Sequence, residues 1–177
     1  MRLFVALELP EAVREALVSF RDAAADPKVW RPISTDAIHV TLAFLGGRPE
    51  SDVAAISDVL AAAAGPAPRL TVADALLLPP RRSRVLCASI SDPDGSLAAL
   101  QGRVSARLAA AGVYEPEERP FRAHATVARL RSGARSPRSL AISPEPLAFS
   151  GGPLTLFESR QHPHGARYEP LVQVPLT

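Results

Sequence analysis

His39-Val40-Thr41-Leu42-Ala43-Phe44-Leu45-Gly46 and, 85 positions later, His124-Ala125-Thr126-Val127-Ala128-Arg129-Leu130 repeat one pattern, His-x-Thr running into an apolar stretch. A strand turns residues i and i+2 to one face, so each histidine projects with its threonine, about 6.6–6.8 Å apart along the backbone. Val40, Leu42 and Phe44 are then expected to face a core, as are Ala125 and Val127. Two such strands side by side bring two imidazoles and two hydroxyls to one cleft, equipment for acid–base chemistry on an anion. A spacing of nearly half the 177 residues points to duplication, with two similar lobes each giving one His strand to a shared groove.

Composition narrows the class. Hydrophobic residues at 47% and charged residues at 21% describe an ordinary globular chain rather than a disordered one. A net charge of +2 does not make a protein that coats nucleic acid, but it accommodates one local basic cleft. Of the 20 basic residues only Lys28 is a lysine, and arginine's planar fork suits phosphate. Cys87 is the single cysteine and lies in a strand-like run, so a core thiol in a reducing cytoplasm is expected. The N-terminal apolar run is interrupted by Glu8, Pro10 and Glu11, too early for a signal peptide, and no run approaches the roughly 20 residues of a membrane span.

Periodicity lays out the elements. A strand is expected over 2–9, an amphipathic helix over 11–25, a connector over 30–37 and the first His strand over 38–45. A helix capped by Ser51 or Asp52 follows, then strands over 70–78 and 84–90. Asp94 is expected to open a long helix closed by Gly112. The second His strand covers 123–130, an exposed loop 131–146, and two strands near 154–160 and 166–174 close the chain. Strands and helices mix without regular alternation. The expected class is therefore α+β, with two mostly antiparallel sheets, helices on their outer faces and a central cleft. Residues 1–177 are read as one domain of two intertwined lobes.

These residues also carry a family resemblance. His39 to Gly46 resembles the first signature of the two-histidine (2H) phosphoesterases. Arg119-Pro120-Phe121-Arg122-Ala123-His124-Ala125-Thr126-Val127-Ala128-Arg129 resembles the second, in the RNA 2',3'-cyclic phosphodiesterase or 2'-5' RNA ligase branch. Met1 to Pro10, Leu156 to Arg160 and Gly165 to Tyr168 are similar to that branch's terminal strands. Ala123 departs from the proline often found before the second histidine. The resemblance implies a bilobal fold and metal-independent hydrolysis of nucleoside or RNA-terminal 2',3'-cyclic phosphate to a 2'-phosphate. Reversible 2'-5' joining of RNA ends belongs to the same chemistry. It also places Arg129 at the phosphate, although its five-residue offset from His124 would turn it away on a regular strand unless the strand bulges or twists.

Opening the cyclic diester requires a base for water, an acid for the departing ribose oxygen and donors for the equatorial oxygens. Histidine's reference pKa of about 6.5 suits both proton transfers. A 2'-phosphate product means that the bond to O3' breaks. On the working hypothesis His39 is the proton donor to O3' and His124 the proton acceptor, with Thr41 and Thr126 donating to non-bridging oxygens. The motifs are nearly symmetric, and the reverse order is the alternative. His162 and His164 read as solvated turn residues rather than metal ligands, and no metal or cofactor is expected. Trp30 and Phe121 read as lids on the core, with base stacking as their alternative; Phe4 is ambiguous. Two arginine groups, 81–84 and 131–138, read as solvated loops that would otherwise track an RNA backbone. The expected partner is RNA or a nucleotide with a 2',3'-cyclic phosphate end, bound by a cytoplasmic monomer with no membrane association. A non-catalytic module that binds RNA ends or nucleotides, and a 2H enzyme for another small cyclic phosphate, are the competing readings.

Overall fold

The computed structural model describes all 177 residues. Its order is β1 (Arg2–Glu8), α1 (Glu11–Ala24), β2 (Trp30–Pro32), a 3-10 turn (Thr35–Ala37), β3 (His39–Gly47) and α2 (Asp52–Ala63). There follow β4 (Arg69–Leu78), β5 (Val85–Ser91), α3 (Ser96–Ala110), β6 (His124–Leu130), β7 (Leu147–Ser150), β8 (Leu154–Arg160) and β9 (Arg167–Val174). Two short strands escape the sequence reading: β2 inside the expected connector and β7 just past the expected loop. Each needs a partner strand to exist. Trp30 pairs with Leu130, and Leu70 pairs with Phe149.

The two expected sheets are halves of one curled antiparallel sheet in the order β7-β4-β5-β6-β3-β1-β8-β9, with β2 added beside β6. The halves meet between β3 and β6 at a single paired position, Val40 with Ala125. Continuing that register by one residue sets His39 opposite Thr126 and Thr41 opposite His124. Beyond that point the strands part, and the cleft opens between them.

Helices cover the face away from the cleft. Val13, Leu17 and Phe20 of α1, Ile56 and Leu60 of α2, and Leu97, Leu100, Val104 and Leu108 of α3 join Val5, Leu7, Val40, Leu86, Ala125 and Val127 in one core of 31 buried residues. α1 follows β1 but packs on β6, and α3 follows β5 but packs on β3, so each half is covered by a helix that leaves the other half. Burial at roughly 25 cal/mol per Å2 of apolar surface makes this shared core the principal tie between the halves. α3 opens at Asp94 as expected, its Oδ1 accepting from Ser96 N at 3.0 Å, and the Asp92 carboxylate, which the sequence reading did not single out, accepts from Leu97 N at 3.1 Å and Ala98 N at 2.9 Å. No helix is long and apolar enough to cross a membrane.

Candidate active site

Both His strands alternate faces for three residues and then change phase. In β1–β3 pairing the partner of Val5 is Ala43 but that of Ala6 is Thr41, leaving Leu42 as an extra residue. In β5–β6 pairing Leu86 faces Ala128 but Cys87 faces Thr126, leaving Val127 extra. The irregularity falls three residues after the histidine in each strand. Leu42-Ala43 and Val127-Ala128 are consequently buried in tandem, and the next residue swings to the histidine side. This resolves the awkward offset of Arg129, which lines the cleft with His124 and Thr126. It also overturns the expectation for Phe44. That side chain is 63% exposed and lines the cleft instead of entering the core.

His39, Thr41, His124, Thr126 and Arg129 all border one cavity of about 540 Å3. The two imidazoles sit in unlike surroundings. His39 stacks on Phe4 (centroids 5.0 Å) and Phe157 (5.9 Å), with Tyr168 edge-on at 5.4 Å. Its Nε2 lies 3.0 Å from Thr41 Oγ1, and the Ala37 backbone supplies a further hydrogen bond. Burial is the main cause that pulls its pKa down to about 4, and the nearby positive charges of Arg129 and His124 push the same way. The Ala37 hydrogen bond opposes them only in part. His39 is therefore neutral at pH 7 in the free protein.

His124 has no aromatic enclosure. Its Nδ1 lies 2.7 Å from the Arg122 carbonyl, an acceptor, so Nδ1 donates there and the neutral tautomer keeps the lone pair on Nε2. Behind Thr126 lies Cys87, with Sγ 3.5 Å from Thr126 Oγ1. Cys87 is fully buried, and burial drives its pKa up to about 11, as befits a core thiol rather than a nucleophile.

Several cleft residues lie outside the sequence reading. Arg2 and Arg31 line the cavity, and so does His162, which the sequence places on a solvated turn. Trp30 is core, at 2% exposure, and Phe4 is buried as the platform under His39. Phe121 borders a second cavity of about 640 Å3 that shares Thr41, Phe44 and His124 with the first. Phe44 had a legible signal. It follows His39 by the same five residues that separate Arg129 from His124. The aromatic wall had none, since Phe4, Phe157 and Tyr168 come from strands at opposite ends of the chain. No group of three or more His, Cys, Asp or Glu side chains is placed to hold a metal ion.

The chain is 32% identical over 178 residues to the RNA 2',3'-cyclic phosphodiesterase of Escherichia coli K12, covering 99% of this chain and 97% of that protein. The crystal structure of E. coli LigT complexed with 3'-AMP superposes with a TM-score of 0.85 at 30% identity, covering 99% of this chain and 98% of that one. A crystal structure from Thermus thermophilus superposes with a TM-score of 0.84 at 28% identity, with coverage of 99% and 98%. The family described as the 2'-5' RNA ligase superfamily matches residues 9–163, and with two His-x-Thr strands facing one cleft the chain belongs to that superfamily.

Proposed function

We propose that the protein hydrolyses RNA or nucleoside 2',3'-cyclic phosphate ends to 2'-phosphates without a metal ion, by paired-histidine acid–base catalysis. The observation that carries this reading is the convergence of both His-x-Thr pairs and Arg129 on one cavity. In the proposed step His124 Nε2 takes a proton from water as the water oxygen attacks phosphorus. The P–O3' bond breaks, and His39 delivers a proton to O3'. The product carries a 2'-phosphate and a free 3'-hydroxyl. Thr41, Thr126 and Arg129 donate to the non-bridging oxygens, where charge develops as the bond order changes.

The donor role asks His39 to hold a proton that burial discourages. The phosphodiester's negative charge, entering beside the ring, favours the imidazolium and supplies that bias. Phe44, on the rim between the two cavities, offers an exposed aromatic face on which a base can stack. With the ribose 5'-hydroxyl of a second RNA in place of water, the same groups join RNA ends through a 2'-5' linkage: the P–O5' bond forms as the P–O3' bond breaks, and the reverse step regenerates the cyclic phosphate. The proposed setting is RNA processing in the cytoplasm by a monomer, where the unpaired thiol of Cys87 stays reduced.

The test is incubation of a 2',3'-cyclic nucleotide and a cyclic-ended RNA with the protein in EDTA, followed by product analysis. A 2'-phosphate supports the proposal. A 3'-phosphate, loss of turnover in EDTA, or tight binding without product overturns it, the last in favour of a binding module. The order of acid and base is tested with a 3'-thio leaving group, which needs no proton. Rescue of His39→Ala supports His39 as the acid, and rescue of His124→Ala reverses the two roles.

A further inference from the structure

We propose that a groove beside the catalytic cleft is the track for the RNA strand behind the cyclic end, making an oligoribonucleotide, rather than a free nucleotide, the favoured substrate. This deepens the preceding proposal and rests on it for the identity of the reacting end. The turn between β4 and β5 and the loop after β6 converge on a groove of about 760 Å3. Arg81, Arg82, Arg84, Arg131, Arg135 and Arg138 line it, with no acidic residue among the lining. All six are exposed. None takes part in any of the ion pairs of the protein.

Charge is thereby segregated. The whole chain carries +2, so with six positive charges in this groove the remainder carries −4. Solvated arginines scattered by composition would not leave one concavity free of carboxylates on a surface that is otherwise net acidic. The groove is also continuous with the site. Arg84 and Pro80 line both it and the second cavity, which in turn shares Thr41, Phe44 and His124 with the catalytic cavity. The backbone holds the two loops together, through Leu130 N to Arg84 O at 2.8 Å. Arg131 is anchored by Nε to the Pro27 carbonyl at 2.7 Å, which leaves its other guanidinium nitrogens for a ligand. Guanidinium forks match the paired oxygens of successive phosphates. The bound strand then has one polarity, with its cyclic 3' end in the cleft and its 5' portion along the arginines.

The experiment compares the wild-type protein with the triple variant Arg82→Gln, Arg135→Gln and Arg138→Gln, three exposed residues that border neither cavity lined by the histidines. Binding is read by fluorescence anisotropy with a single-stranded RNA of about 12 nucleotides ending in a 2'-phosphate, across a salt series. Six phosphate contacts give a slope of log K against log salt of about −4, and the variant is expected at about −2. At low salt kcat/KM for the cyclic-ended RNA falls about tenfold or more in the variant, while that for a 2',3'-cyclic mononucleotide stays unchanged. Equal slopes and affinities for the two proteins overturn the groove, as does a parallel loss with the mononucleotide. If neither substrate is turned over but the slope difference persists, the proposed reaction fails and the groove stands.

Discussion

β3 and β6 share one burial rhythm yet present different chemistry from its matching positions. Each runs histidine, core, threonine, core, core, cleft, with the phase change three residues past the histidine. The sixth position is Phe44 in one strand and Arg129 in the other. Around His39 three aromatic rings shield all but the edge that opens to the cleft; around His124 a backbone carbonyl holds Nδ1 and the ring meets solvent. Two-fold backbone geometry thus creates two equivalent places, and the side chains beside them make the places unequal. A reaction that both takes and gives a proton needs unequal imidazoles, yet burial keeps His39, the proposed acid, neutral in the free protein, so the charge of the bound phosphodiester has to set the proposed order.

The sharpest test of the comparison removes each imidazole in turn. His39→Ala and His124→Ala are each expected to lower kcat about 10²–10⁴-fold with an ordinary leaving group. The double variant should lose little more than the worse single variant, since the proposed step uses both at once. Additive losses in steady-state assays would break the idea of a coupled pair.

The matched positions should separate next. Arg129→Ala is expected to cost about 10²–10³-fold in kcat, as for other removed donors to a developing oxyanion. Phe44→Ala should instead raise KM, by the equivalent of about 1–3 kcal/mol for one stacked base, with kcat nearly unchanged. A shared kinetic signature at both positions would mean that the strands do not divide charge stabilisation from base binding.

Stability against pH offers a readout independent of substrate. His39 titrates at about 4 in the folded protein and at 6.5 when unfolded, so the unfolded chain binds the extra proton between those values. Stability contributed by the neutral ring is complete above pH 6.5 and is lost as pH falls through 4. At 1.36 kcal/mol for each pKa unit the loss is about 3 kcal/mol at most, given that one ring edge opens to the cleft. Denaturant melts of His39→Asn should show a flatter acid limb than wild type, and an unchanged limb would place the pH dependence elsewhere.

The smallest expected effect concerns the aromatic wall itself. Tyr168→Ala opens the edge of the His39 box to water, and the ring's pKa should climb from about 4 toward 6.5. NMR titration of His39 reads the shift directly, and the matching acid limb of kcat/KM should move upward with it. An unmoved titration would assign the shift to burial by the other neighbours and to the Arg129 and His124 charges, without Tyr168.

Much of this site was legible along the chain. Alternation with period 2 places Thr41 beside His39 and Thr126 beside His124 whatever the strands pair with, and apolar neighbours bury the other face. Helical stripes such as Leu97, Leu100, Val104 and Leu108 declare themselves through their own spacing, as does the mixed α+β class. Assembly decided the rest. The faces of Phe44 and Arg129 depend on extra residues in β3 and β6, and a bulge is a property of a strand pair, not of one strand. The depressed pKa of His39 depends on rings contributed by β1, β8 and β9. The arginine groove exists only because the loops around residues 81–84 and 131–138 fold against each other. Local pattern records which way a side chain leaves its own backbone, whereas its neighbours, its solvent and its charge environment come from segments that only the packed core brings near.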